Sequence, residues 1–177
     1  MYNLIMKEFI SICGIIPEDI NEKIKAICLK ENEDLKLSDR FFRFQLHVSM
    51  KRTFLCSEFE EMKADVKSFL VNEGKICCGY SHLIRNKDML WLILNDDKKL
   101  KEVHSGLDRL LLDKYGVPID TFDKHYLPHV TIFHKGDPEN MNIMEERLYS
   151  ALPSFPVTIE SYAIGTKIKG YEFFNVY

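Results

Sequence analysis

Two stretches far apart in the chain carry the same arrangement. HVSM, His47 to Met50, and HVTI, His129 to Ile132, each place a hydroxyl side chain two residues after a histidine. On a strand, alternate residues point to the same side and lie about 6.6 Å apart, a separation that suits one phosphate group. The imidazole can then sit beside the oxygen being attacked or released, while the hydroxyl donates to a non-bridging oxygen. Cleaving a phosphodiester requires one proton to be taken and another to be given. Histidine, with a reference pKa of about 6.5, performs either transfer near neutral pH, each worth roughly 10²–10⁴ in rate. Two such strands facing each other would need no metal: one imidazole starts neutral and the other charged, and Ser49 and Thr131 hold the oxygens as charge builds.

The surrounding pattern supplies the strands. In FRFQLHVSMKRTF, residues Phe42, Phe44, Leu46, Val48 and Met50 alternate with Arg43, Gln45, His47, Ser49 and Lys51, which predicts one dry face and one wet one. LPHVTIF, Leu127 to Phe133, repeats the pattern, with Val130 and Ile132 opposite His129 and Thr131. Before the first motif, Leu4 to Ile12 reads as a buried strand ended by Gly14, followed by a helix opened by Pro17 with Ile20, Ile24 and Ile27 on one stripe. After the motif, a helix is expected from Ser57, whose side chain would form a capping box with Glu60, with Phe59, Met62, Val66 and Phe69 inward. KICCGYSHLI closes this half as a strand. MLWLIL then opens the second half as a strand, and the helix DDKKLKEVHSGLDRLLLDKYG turns Leu100, Val103, Leu107 and Leu111 inward. After the second motif come a helix between Pro138 and Pro153 and two final strands, Val157 to Ile164 and Ile168 to Val176, joined through Gly165.

Strand, helix, histidine-bearing strand, helix, strand therefore occurs twice. The fold expected is α+β, one unit over residues 1–177 with a lobe-level repeat at about 1–87 and 88–177, its two antiparallel sheets flanked by helices around a central cleft. Hydrophobic residues at 46% provide a core. A net charge of −3 argues against the broad basic surface that holds long duplexes, so a nucleic-acid partner is short or touched at an end. The five cysteines form an odd set without CxxC spacing, which points to a reduced, cytoplasmic protein without a disulfide framework. The apolar N-terminus is broken by Lys7 and Glu8 and lacks the features of a leader, and no run is long enough to cross a bilayer.

Other residues invite plainer readings. His125, His129 and His134 have helical metal-ligand spacing, but Pro128 favours a strand, on which His125 and His129 would lie about 13 Å apart. No metal is expected. His82 and His104 read as surface or satisfied residues, Cys77 and Cys78 as core packing, and Trp91 as core and not a base-stacking platform. Lys51 and Lys135 lie farther along the motif strands and either attract a phosphate or simply solvate a strand end.

HVSM and HVTI resemble the paired H-x-[S/T]-hydrophobic signatures of the 2H phosphoesterase superfamily, which includes the bacterial LigT-like 2′-5′ RNA ligase and cyclic phosphodiesterase proteins. The resemblance extends along nearly the whole chain, with FISICGIIPEDINEKI similar to the family's opening strand and Pro-led helix. It implies a bilobal fold and metal- and cofactor-independent chemistry on 2′,3′-cyclic phosphates or 2′-5′ linkages. By matching positions, His47 and His129 would be the catalytic acid and base, and Ser49 and Thr131 the phosphate ligands. The substrate would be an RNA end or a small nucleotide, handled by a monomer. A module that binds nucleotides or RNA ends without turnover, and a ligase running the reverse reaction, are the alternatives.

Overall fold

The computed structural model describes residues 9–95, 98–166 and 170–176. Leu4 to Glu8 of the expected first strand, Asp96 and Asp97 at the expected helix start, and Ile168 at the start of the last strand lie outside them. The elements run β1 (Ile10–Ile15), α1 (Glu18–Glu31), a 3₁₀ turn (Arg40–Arg43), β2 (His47–Phe54), α2 (Phe59–Glu73), β3 (Ile76–Asn86), β4 (Met89–Asn95), α3 (Lys98–Tyr115), α4 (Thr121–Lys124), β5 (His129–His134), α5 (Pro138–Ala151), β6 (Pro156–Ile159), β7 (Ser161–Thr166) and β8 (Gly170–Asn175).

The strands form one antiparallel sheet of eight in the order β6-β3-β4-β5-β2-β1-β7-β8, where a pair of sheets was expected. The connection between β6 and β7 shows how strongly it curls. Glu160 alone joins them, although they sit six places apart in the order. In a flat sheet that distance would be about 29 Å, while one connecting residue spans no more than about 7 Å. The sheet must therefore wrap round on itself. The expected strand Val157 to Ile164 is accordingly two strands on opposite sides of the curl. Gly165 lies inside β7, where a Cβ would collide with the Gly170 carbonyl oxygen, so β8 can approach only a glycine there.

The halves β6-β3-β4-β5 and β2-β1-β7-β8 meet at a narrow seam, where β2 and β5 register only through Val48 and Val130. Both valines point into the main core with Leu92, Ile159 and the inward faces of the helices. On α3, Leu100, Val103, Leu107 and Leu111 are fully buried, as their spacing predicts. Gly106 lets α3 approach α2: a Cβ there would meet the Phe69 ring at 2.5 Å.

Three local expectations are corrected. The first motif strand begins at His47 and not at Phe42, because Arg40–Arg43 makes a 3₁₀ turn that lays Phe42 edge-on to Phe133 at 5.4 Å and leaves Phe44 exposed. The alternation of Phe42 and Phe44 was thus not a strand period. Ser57 does not cap α2, since its hydroxyl donates to Glu58 Oε2 at 2.5 Å. And β1 runs past Gly14 to Ile15.

Candidate active site

The seam places both motifs side by side. With Val48 opposite Val130, antiparallel pairing sets His47 toward Thr131 and Ser49 toward His129, all four on the face away from the core. All four are half-buried, open to solvent yet supported from beneath. Neighbouring strands extend the face: Ile15 and Cys13 of β1 register with His47 and Ser49, and Ile93 and Trp91 of β4 register with His129 and Thr131.

Each histidine is held by the same device. His47 Nδ1 donates to the Gln45 carbonyl at 3.2 Å, and His129 Nδ1 donates to the Leu127 carbonyl at 2.7 Å. A carbonyl can only accept, so the proton sits on Nδ1 and Nε2 is left to take or give one. The carbonyl before each histidine is fixed in turn. Ile16 N–H donates to the Leu46 carbonyl at 3.0 Å, and Leu94 N–H donates to the Pro128 carbonyl at 3.1 Å. Buried Asn21 of α1 adds a bond from the Leu46 N–H to its Oδ1 at 3.0 Å, which anchors the start of β2.

The walls around the two rings differ. His129 stacks on Trp91, with centroids 3.8 Å apart and planes at 21°, and Phe122 of α4 meets it edge-on at 6.5 Å. Burial lowers its pKa below the usual histidine value; the Leu127 hydrogen bond opposes this, and the charges of Arg52 and His47 add to the lowering. Trp91 is therefore a wall of the site. The expectation of a plain core residue missed this because a continuous apolar run hides which face is wet. His47 has no such aromatic partner among the described residues. Beside it, past Ile15 and Gln45, lies a cavity of about 340 Å³ with Glu18, Asp19, Glu160, Ser161 and Asn175 in its wall.

Lys51 does not face the cleft. A register shift between the Ile12–Lys51 and Cys13–Ser49 pairs breaks the alternation, so that Met50 and Lys51 are both buried. Lys51 Nζ donates to Asp108 Oδ1 of α3 at 2.6 Å and to Asp123 Oδ2 of α4 at 2.5 Å. His104 completes the cluster, 3.7 Å from Asp108 and 3.5 Å from Asp123, with its ring stacked on Tyr126. His104, Asp108 and Asp123 have the spacing of metal ligands, and the Lys51 ammonium supplies the positive charge between the carboxylates. Sequence reading missed this cluster; the i, i+4 pair His104 and Asp108 on α3 was its one visible signal.

Arg52, exposed on β2, lies 4.8 Å from the centre of the Phe122 ring. Lys135 is exposed just past β5. The remaining histidines lie elsewhere: His125 exposed after α4, His134 3.5 Å from Asp88, and His82 exposed beside Ser81. Cys78 is buried as expected, whereas Cys77 is exposed.

No family model matches the chain, and no curated protein matches it either. Solved structures do. E. coli LigT complexed with 3′-AMP aligns at a TM-score of 0.60 and 11% identity over 97% of this chain and 96% of its own. Usb1 of Kluyveromyces marxianus aligns at 0.57 and 12% over 95% and 97%, and TT0787 of Thermus thermophilus at 0.56 and 13% over 96% and 95%. The chain thus has the LigT-like fold. Among the described residues no helix is long and apolar enough to cross a membrane.

Proposed function

We propose that the protein is a metal-independent phosphodiesterase that cuts 2′-5′ links and opens 2′,3′-cyclic phosphates on RNA ends or small nucleotides. One observation carries the reading: two histidines from distant parts of the chain, on adjacent strands, each tied through Nδ1 to a carbonyl so that Nε2 is free at a common face. The fold supports it. So do the nucleotides 3′-AMP, ATP and NADP+ bound by LigT, which has that fold. The two halves of the sheet act as lobes of a shared cleft, and the chain works as an intracellular monomer.

In the first step the ribose hydroxyl next to the scissile link attacks phosphorus. His129, neutral because burial lowers its pKa, takes the hydroxyl proton, and His47 gives a proton to the departing 5′ oxygen. Ser49 and Thr131 donate to the non-bridging oxygens as negative charge grows. The second step retraces the path with water in the place of the departed group. Water gives its proton to His47, the P–O bond to one ribose oxygen breaks, and His129 returns a proton to that oxygen. Both rings end as they began.

The test is turnover of 2′,3′-cyclic nucleotides and 2′-5′ dinucleotides by the wild type, H47A and H129A, each with and without EDTA. Each variant should lose about 10²–10⁴ in kcat/KM with its fold intact, and EDTA should change nothing. Wild-type turnover in either variant refutes the mechanism. Tight nucleotide binding with no turnover by the wild type would identify a binding module instead.

A further inference from the structure

The two ends of the face differ in charge, and the difference bears on which substrates fit. On the His47 side, the 340 Å³ cavity is lined by Glu18, Asp19, Glu160, Gln45 and Asn175, with Glu160 paired to Lys75 at 2.7 Å and Asp19 to Lys23 at 3.8 Å. Such a wall presents a phosphate with no cation among its lining residues and offers hydrogen bonds to an uncharged group. The His129 side ends in Arg52, whose guanidinium rests on the Phe122 ring, the same ring that meets His129 edge-on. Among the described residues Arg52 makes no ion pair. Its acidic neighbour Asp120 accepts the Asp123 N–H and so caps α4. The result is an exposed, planar, permanently charged donor fork held by a ring, one aromatic side chain away from His129.

Arg52 stands three residues beyond Ser49 on β2, about 10 Å along the strand, outside the group of four motif side chains that would hold the scissile phosphate. We propose that Arg52 is a specificity-determining residue that receives a second phosphate, the one on the 5′ carbon of the ribose whose 2′ and 3′ oxygens react. This rests on the proposed phosphodiester chemistry, in which that ribose lies on the His129 side and the departing group or water lies on the His47 side. The preferred substrate is then a nucleotide within or at the end of a chain, or one 5′-phosphorylated, over a free nucleoside cyclic phosphate.

A minimal pair tests it: a nucleoside 2′,3′-cyclic phosphate against the same compound 5′-phosphorylated, with a dinucleotide ending in the cyclic phosphate as a third substrate. The wild type should prefer the two substrates with the extra phosphate by about tenfold or more in kcat/KM, chiefly through KM, as expected for a charge-assisted contact. R52Q should bring that ratio to within about threefold, and R52K should restore it in part. The dependence of log kcat/KM on log salt for the dinucleotide should become shallower by about 0.7 in R52Q. An equal ratio in the wild type and R52Q overturns the proposal. Equilibrium binding of a nucleoside 3′-phosphate against the 3′,5′-bisphosphate reads the same ratio without turnover. A protein that cleaves none of the substrates therefore refutes the phosphodiesterase reading, while the binding ratio still decides the role of Arg52.

Discussion

Replacing Lys51 by Met takes the ammonium from between Asp108 and Asp123 and leaves two carboxylates, 7% and 1% exposed, without their cation. Removing one partner of a buried ion pair costs about 3–5 kcal/mol, because the remaining charge stays buried. In a chain of 177 residues each kcal/mol lowers Tm by about 2–4 °C, so K51M should melt about 6–20 °C below the wild type at pH 7. The cost should also depend on pH, through His104. In the wild type, burial holds the His104 pKa below its usual value against the pull of Asp108 and Asp123, and Lys51 adds to the lowering. The unfolded chain then takes up the proton first as pH falls. Stability from the neutral ring is complete above about pH 6.5 and is lost progressively below it.

In K51M one cause of that lowering is gone. His104 still lies 3.7 and 3.5 Å from the two carboxylates with no lysine to repel its proton, so its folded pKa moves up toward the unfolded value. The stability lost as pH falls below about 6.5 is then smaller than in the wild type. The gap between K51M and the wild type should therefore shrink as pH falls from about 7 to 5. Urea unfolding at four pH values measures it, and the gap between H104Q and K51M/H104Q should narrow less than that between the wild type and K51M. A K51M protein within 1 kcal/mol of the wild type, or a gap that stays flat across the range, would refute the assignment of this cluster.

Two further outcomes follow from the site and the thiols. Because the proposed mechanism needs His129 neutral to accept the first proton and burial lowers its pKa, the acid limb of kcat/KM should fall below pH 6.5, and W91A, which uncovers the ring, should move that limb upward. A thiol reagent should modify Cys77 in the native protein well before Cys13, whose thiol burial pushes up to about 12, or buried Cys28 and Cys78, which should react only on unfolding.

What the sequence made legible follows from backbone geometry. The alternation of side chains on a strand is a local property, so His47 with Ser49 and His129 with Thr131 could be read as pairs on one face each. The i, i+3, i+4 spacing likewise picked out Leu100, Val103, Leu107 and Leu111 on α3. Where that geometry is interrupted, reading failed. The 3₁₀ turn at Arg40–Arg43 imitates a strand because Phe42 and Phe44 alternate by coincidence. The register shift after Ser49 buries Lys51 while its numbering says cleft. Strand order is nonlocal, so neither the single sheet nor the one-residue passage from β6 to β7 has a sequence signature.

The same distinction explains how the two histidines can differ. Their tethers are copies, an Nδ1–H bonded to the carbonyl two residues earlier, and the preceding carbonyl in each case is held by the neighbouring strand. Local repetition of sequence is enough to produce that. Their surroundings come from elements that are not repeated: Trp91 and Phe122 enclose His129, while Ile15, Gln45 and a carboxylate-lined cavity border His47. Acid and base chemistry at one pH requires two titrating groups whose environments part them. The duplicated strands bring two equivalent Nε2 atoms to one face, and in the proposed mechanism it is the dissimilar walls that let one of them begin as the proton acceptor.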